Sequence, residues 1–220
     1  MSPNMREREH FKSLDNTSEK RDRWGVWALR FLRKREKVTS FYSTLFTRIC
    51  AVYWGVSLGD SCRFVGVPVF RRAPNSAILI GDNCTFRSSK CSNLIGINRP
   101  CMVSTLRPGG LILVGKKCGL SGTVIGAAEC IQLGNNVLCG ANVTITDTDW
   151  HRVEPEARRG PGNNAPVLIE DNVWLGINVI VLKGVKIGEN SVIGAGSVVT
   201  KSIPSNVIAV GQPARIIKFL

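Results

Sequence analysis

From Ile169 onward the aliphatic residues of this chain keep a period of six: Ile169, Leu175, Val181, Ile187, Ile193 and Val199 follow one another without a break. Four residues after each comes Val173, Val179, Val185, Ser191, Ser197 or Ile203, all small or β-branched, and Gly176, Gly188 and Gly194 directly follow three of the leaders. An α-helix repeats every 3.6 residues and would lose this phase within two repeats. A meander would alternate polar and apolar residues between hairpin turns of the Asn-Gly kind, and the sequence has none. A period of six fits short strands joined by corners and wound into a parallel β-helix. The leader then points inward, the β-branched residue fills the corner, and glycine or asparagine takes the turn. The same phase recurs at Val114 and Leu120, and at Leu133, Cys139 and Ile145 after a one-residue slip. IGDNCTF (80–86) and LGDSCRF (58–64) read as earlier rungs.

Ahead of the repeat the spacing changes. Trp24, Trp27, Ala28, Phe31 and Leu32 recur at helical spacing, and beyond the charged run RKREK a second set follows at Val38, Phe41, Tyr42, Leu45, Phe46, Ile49 and Tyr53. The pattern predicts two amphipathic helices. Residues 1–23 are polar and predicted to be disordered. The chain therefore divides into an N-terminal extension over 1–55 and a β-helix domain over 56–220. Helices in that place either cap the open end of the solenoid or lie on an anionic membrane through residues 24–53.

The formal charge of +13 is spread along the chain: residues 1–55 hold 12 basic and 6 acidic side chains, the remainder 17 and 10. Such a charge attracts nucleic acid, a membrane surface or a phosphorylated ligand. No zinc finger, RNA-binding aromatic motif or helix-turn-helix pattern accompanies it, so nucleic acid is not an expected partner. No apolar run approaches the roughly 20 residues that span a bilayer, and the charged N-terminus does not resemble a secretory leader. The expected location is cytoplasmic. The eight cysteines include no Cys-x-x-Cys pair, which argues against structural zinc, and no metal is expected. Cys62, Cys84 and Cys118 fall at the corner position, four after Leu58, Ile80 and Val114, and are expected as buried thiols.

Between Ile145 and Val167 the segment TDTDWHRVEPEARRGPGNNAP (146–166) leaves the repeat and is rich in proline, glycine and charge. A loop set into a regular solenoid is a natural place for function, because the rungs hold it rigidly. His151 lies near its start; the only other histidine is His10. Asp147 and Asp149 alternate with period two and so are expected on one side of an extended segment. Either carboxylate can orient the imidazole or bridge a corner amide.

IEDNVWLGINVIVLKGVKIGENSVIGAGSVVTKSIPSNVIAVGQPARIIK (169–218) resembles the C-terminal half of the hexapeptide-repeat acyltransferases, above all the galactoside, maltose and polysaccharide O-acetyltransferases. The likeness extends over roughly 56–220 and rests on the repeat phase together with DNVWLG, GAGSVVTK and GQPAR in the family's order. It implies an all-β fold, a left-handed parallel β-helix forming a homotrimer, that moves an acetyl group from acetyl-CoA to a hydroxyl of a glycan. A hydroxyl is a weak nucleophile, and a histidine base, with an ordinary pKa of about 6.5, is worth roughly 10²–10⁴-fold.

The resemblance implies that His151 is this base; Asp149 is the carboxylate expected beside it, with the choice between the two aspartates left open. The resemblance places Ser121 and Glu129 near the acceptor, although Ser121 stands where the family usually has asparagine; Asp147 is expected to contact the substrate as well. The resemblance also places Trp174, Gly176, Ala195, Thr200, Lys201, Arg215 and Lys218 along CoA. There Gly176 and Ala195 leave room for the pantetheine arm, and the cations face the phosphates. N-acylation of an amino sugar or other amine, and a non-catalytic scaffold, remain alternatives. A zinc hydratase would need about three histidine ligands, and the domain has one.

Overall fold

The computed structural model describes residues 22–220, so His10 and nearly all of the tail expected to be disordered lie outside the described residues. A single helix, α1 (Arg23–Trp54), opens the described chain. The two helices expected from the periodicity are thus one. RKREK consists of good helix formers with no glycine or proline, so its charge interrupts the apolar stripe without interrupting the backbone. Asp22 Oδ1 accepts the Gly25 N–H at 2.7 Å as an N-cap. Gly55 ends the helix at φ 62°, a left-handed conformation that costs glycine little, and the Val56 N–H returns to the Ala51 carbonyl at 2.8 Å.

The strands follow in chain order: β1 (Ser57–Leu58), β2 (Arg63–Val65), β3 (Val69–Arg71), β4 (Ala77–Ile80), β5 (Thr85–Arg87), β6 (Met102–Thr105) and β7 (Leu111–Val114). Then come β8 (Gly119–Ser121), β9 (Val124–Ala127), β10 (Cys130–Leu133), β11 (Leu138–Ala141), β12 (Thr144–Thr146) and β13 (Val167–Ile169). The last are β14 (Trp174–Leu175), β15 (Ile180–Val181), β16 (Lys186–Ile187), β17 (Val192–Ile193), β18 (Val198–Val199), β19 (Val207–Gly211) and β20 (Ala214–Phe219).

Every third strand pairs in parallel. The first sheet runs β1-β4-β7-β10-β13-β16, the second β2-β5-β8-β11-β14-β17-β19-β20, and the third β3-β6-β9-β12-β15-β18. The product is the left-handed parallel β-helix, a triangular prism in which three six-residue repeats make one coil. Ile169 lies over Ile187, Leu175 over Ile193 and Val181 over Val199. All six are fully buried, each burial worth roughly 1.5–3 kcal/mol. Among the strands of the described residues only β19 and β20 pair antiparallel, closing the C-terminal end with a hairpin.

Corners stack as regularly as strands. Asn136, Asn172, Asn190 and Asn206 adopt φ of 56–60°, and their amides hydrogen-bond from coil to coil at 2.9–3.1 Å. Asparagine tolerates this conformation better than most residues. Cys62, Cys84 and Cys118 donate their thiols to the carbonyls of Gly81, Gly115 and Gly134 at 3.1–3.2 Å.

The described chain divides into two units between Val38 and Thr39, so the second half of α1 belongs with the coils. Ser40, Ser43, Thr47 and Ala51 are buried there. The first coil has no coil before it to accept its N–H groups, and hydroxyls from α1 stand in. Phe64 N–H donates to Thr44 Oγ1 at 3.1 Å and Gly66 N–H to Ser43 Oγ at 3.2 Å. This half of the helix caps the solenoid.

The hydrogen bond to Cys118 and burial push the Cys84 thiol up to about 11. Burial pushes Cys139 up to about 12 and raises Cys101, and the hydrogen bond to Cys84 raises Cys62 above the thiol range. Raised values keep these thiols protonated and unreactive in mildly alkaline solution. Brief treatment of the native protein with iodoacetamide at pH 8 should therefore modify the exposed Cys91 and spare these four. In denaturant all eight should react, as read by peptide mass spectrometry.

Candidate active site

The segment after β12 forms a hairpin-like excursion at the corner between the third sheet and the first. Ala165 N–H donates to the Asp147 carbonyl at 2.9 Å and Asp149 N–H to the Asn163 carbonyl at 3.0 Å. Thr148 bridges Asn164 and His151 bridges Pro161 in antiparallel sense. A single 3-10 turn, Pro155–Ala157, lies between the two arms. Trp150 turns the outgoing arm at φ 65°, uncommon for a bulky residue. Its ring edge comes so near Gly126 of β9 that a Cβ there would sit 3.4 Å from Trp150 Cζ2.

His151 is exposed on this arm. Its Nδ1 lies 3.1 Å from the carbonyl oxygen of Arg158 across the hairpin. A carbonyl can only accept, so Nδ1 carries a hydrogen, and in the neutral ring Nε2 presents its lone pair. Among the described residues the partner of the ring is thus a backbone carbonyl, where a carboxylate was expected.

The two aspartates part company. Asp147 is fully buried, and its carboxylate accepts the N–H groups of Ala128, Glu129 and Cys130 at 2.6, 2.7 and 2.8 Å. It plays the corner-bridging role open to either aspartate and does not reach a substrate. Asp149 faces outward instead and pairs with Lys183 of the next coil at 3.0 Å. The two therefore do not share one side: Asp147 is drawn in by three orphan amides, Asp149 out by a lysine.

Through Asp147 the loop fixes the corner that carries Glu129. The Glu129 carboxylate is exposed and accepts a short hydrogen bond from Asn164 Nδ2. Arg107 completes the cluster, donating to Asn164 Oδ1 at 3.3 Å and to the Gly162 carbonyl at 3.2 Å. The sequence reading missed Arg107, Lys183, Asn164 and the Arg158 carbonyl. Arg107 and Lys183 come from other coils at this same corner, so the repeat phase was the signal; unequal coil lengths concealed it.

The other expected residues lie at several places. Thr200 and Lys201 follow β18 at the loop's corner, two coils further on. Ser121, Gly176 and Ala195 fall along the corner between the second and third sheets, where Asn142 N–H donates to Ser121, Asn178 to Ala141 and Gly196 to Ile177. Ser121 is mostly buried at 8% exposure. Trp174 stands 53% exposed on the second sheet. It lines a groove of about 370 Å³ with Arg87, Lys117, Gly119, Ser121 and Leu138. Arg215 and Lys218 are on β20, also exposed. A Cβ on Gly176 would lie 2.7 Å from the Ala195 backbone nitrogen. The close approach of the neighbouring coil by itself requires glycine here.

Among the described residues no group of three or more His, Cys, Asp and Glu side chains is placed to hold a metal ion.

Residues 166–201 match the family described as bacterial transferase hexapeptide (six repeats). The chain is 60% identical over 87 residues to a galactoside O-acetyltransferase of Lactococcus lactis subsp. lactis (strain IL1403), a stretch covering 39% of this chain and 42% of that enzyme. It is also similar to the crystal structure of a maltose O-acetyltransferase from Clostridium difficile 630, at 31% identity and a TM-score of 0.43, covering 71% of this chain and 70% of the other. A third likeness is to a mutant N-acyltransferase from Bacillus cereus in complex with dTDP-4-amino-4,6-dideoxyglucose and coenzyme A. There identity is 19% and the TM-score 0.52, over 74% of this chain and 83% of the other, a likeness of fold. The chain spans less than half the length of the curated relatives it matches.

The two aspartates should respond to mutation in opposite ways. Asp147→Ala strands three amides at a largely buried corner, at about 1–3 kcal/mol for each unpaired group, and should lower the melting temperature by several degrees or more. Asp149→Asn breaks only a partly exposed ion pair, worth about 1 kcal/mol or less, and should leave the thermal melt almost unchanged.

Proposed function

Since the chain belongs to the hexapeptide-repeat transferases, we propose that it moves an acetyl group from acetyl-CoA to a hydroxyl of a sugar or sugar polymer, with His151 as the general base. One observation carries this reading: Nδ1 is committed to the Arg158 carbonyl, so Nε2 is the basic nitrogen, on an anchored and exposed arm. The acceptor hydroxyl gives its proton to Nε2 while its oxygen bonds to the thioester carbonyl carbon. The carbon–sulfur bond then breaks, and the departing sulfur takes the proton back from the imidazolium. Glu129, steadied by Asn164, accepts from a neighbouring acceptor hydroxyl and sets its orientation. The name of the Lactococcus relative, a galactoside O-acetyltransferase, supports a sugar hydroxyl as acceptor, and the coenzyme A in the Bacillus complex supports a thioester donor.

Thr200 and Lys201 contact CoA from the loop's corner. Trp174, Ala195, Arg215 and Lys218 contact it from the second sheet and its edge, with the cations toward the phosphates. These two sets are separated by the width of the third sheet, about 13 Å for the four residues of β9 at roughly 3.3 Å each. A separation of that size favours a site that draws Ser121 and His151 from different copies of the chain. The working site is a cleft between adjacent copies of a homotrimer, one copy supplying the His151 corner and the next supplying Ser121 and Trp174.

His151→Ala should fold, retain the rise in melting temperature caused by acetyl-CoA, and lose roughly 10²-fold or more in transfer to glycan acceptors, read by mass spectrometry. Undiminished transfer would remove His151 from the reaction, and amines outpacing hydroxyls in the acceptor panel would make the enzyme an N-acyltransferase. Trp174→Ala/Arg215→Ala should also be inactive, and co-assembling it with His151→Ala should restore part of the activity. Mixed trimers, verified by native mass spectrometry, that stay as inactive as either parent would mean that each chain holds a whole site.

A further inference from the structure

The second half of α1 buries a row of hydroxyls and exposes its apolar side. Ser40, Ser43 and Thr47 are at most 7% exposed against the first coil, whereas Phe41, Tyr42, Leu45, Phe46, Ile49, Val52 and Tyr53 are each 54–82% exposed. At 3.6 residues per turn these seven fall within an arc of about 140°. Ser43 and the neighbouring Thr44 accept N–H groups of the first coil and Ser40 accepts the Arg63 Nε–H, so hydrogen bonds hold this side inward and the apolar side is left unburied in the isolated chain. The sequence continues the same phase toward the N-terminus with Trp24, Trp27, Phe31 and Val38, and these too are exposed. Large exposed apolar patches mark an interaction surface.

Charge decides between a second copy of the chain and a lipid surface. Between Arg23 and Trp54 the sequence has seven basic residues (Arg23, Arg30, Arg33, Lys34, Arg35, Lys37, Arg48) against one acidic, Glu36. Two such helices laid face to face would bring like charges together, with almost no acidic side chains to complement them. A bilayer with anionic headgroups complements them directly. Tryptophan and tyrosine suit the depth of the headgroups, and long basic side chains can bury their stems while the charged ends reach phosphate. No helix among the described residues is long and apolar enough to cross a membrane, which fits a helix that lies in the plane of the interface.

We propose that α1 docks this protein on an anionic phospholipid bilayer, with the Phe41–Leu45–Ile49 face toward the acyl chains and the basic residues of its N-terminal half beside lipid phosphates. The full chain should co-sediment with vesicles of phosphatidylcholine and phosphatidylglycerol (3:1 by moles) and partition onto pure phosphatidylcholine at least about tenfold more weakly. Leu45→Glu/Ile49→Glu changes two exposed side chains, so it should keep the melting temperature and oligomeric mass of the wild type while losing at least about tenfold in partitioning. Arg33→Glu/Lys37→Glu, which leaves the apolar face intact, should abolish the preference for anionic vesicles. The proposal is overturned if the wild type fails to sediment with anionic vesicles, or if both double variants bind them as well as the wild type. A smaller oligomer on Leu45→Glu/Ile49→Glu would overturn it as well, by assigning the face to contacts between copies.

Discussion

Coil-to-coil register is the constraint on which the rest of this molecule depends. Each coil lays an aliphatic residue directly over its counterpart in the next, Ile169 over Ile187 and Leu175 over Ile193, and the parallel hydrogen bonds hold only if that stacking is kept. Side chains alternate across a strand, so a slip of one residue would send every leader to the outside. The same register aligns the corners, and this is why the asparagine amides form a continuous ladder and the thiols of Cys62, Cys84 and Cys118 each find a carbonyl on the next coil. What stands at one corner of one coil is adjacent to the same corner of its neighbours, whatever the distance along the chain.

The candidate active site uses this columnar order. The loop of 146–166 leaves from one corner, and that corner gathers Arg107 from an earlier coil, Glu129 from the preceding one and Lys183 from the following one. Asp147 joins the layers: a buried carboxylate that satisfies three amides both anchors the base of the loop and shapes the turn that bears Glu129. Polar groups are buried here because they satisfy one another, and this makes the corner a rigid mount for an exposed imidazole. The hairpin then sets the tautomer of His151 with a backbone carbonyl, a partner that cannot itself ionise.

The N-terminal end follows from the same constraint in a different way. A solenoid must stop somewhere, and its first coil presents N–H groups with no strand to receive them. The hydroxyls of Ser43 and Thr44 meet that need, and Ser40 accepts the Arg63 Nε–H beside them. Their inward turn leaves the aromatic and aliphatic side of the helix outside, reversing the usual sense of an amphipathic helix on a globular domain.

The fold was legible in the sequence because it repeats. A period of six has few structural explanations, and the leaders from Ile169 to Val199 are buried as their phase requires. The candidate base was legible for the opposite reason: His151 sits in a long segment that breaks the pattern. The continuity of α1 was not, since an apolar pattern reports which side of a helix is apolar and not where the backbone breaks. Nor does a pattern say that this side faces away from the protein. The partners of Asp147, Asp149 and Glu129 depend on which corners stack, and unequal coil lengths between 87 and 146 conceal that alignment until the coils are wound. Local period is a property of neighbouring residues and survives in the sequence. The pairing of Asp149 with Lys183, the burial of Asp147 and the carbonyl on His151 were decided only when distant segments were brought into register, because hydrogen bonds and ion pairs depend on position in space.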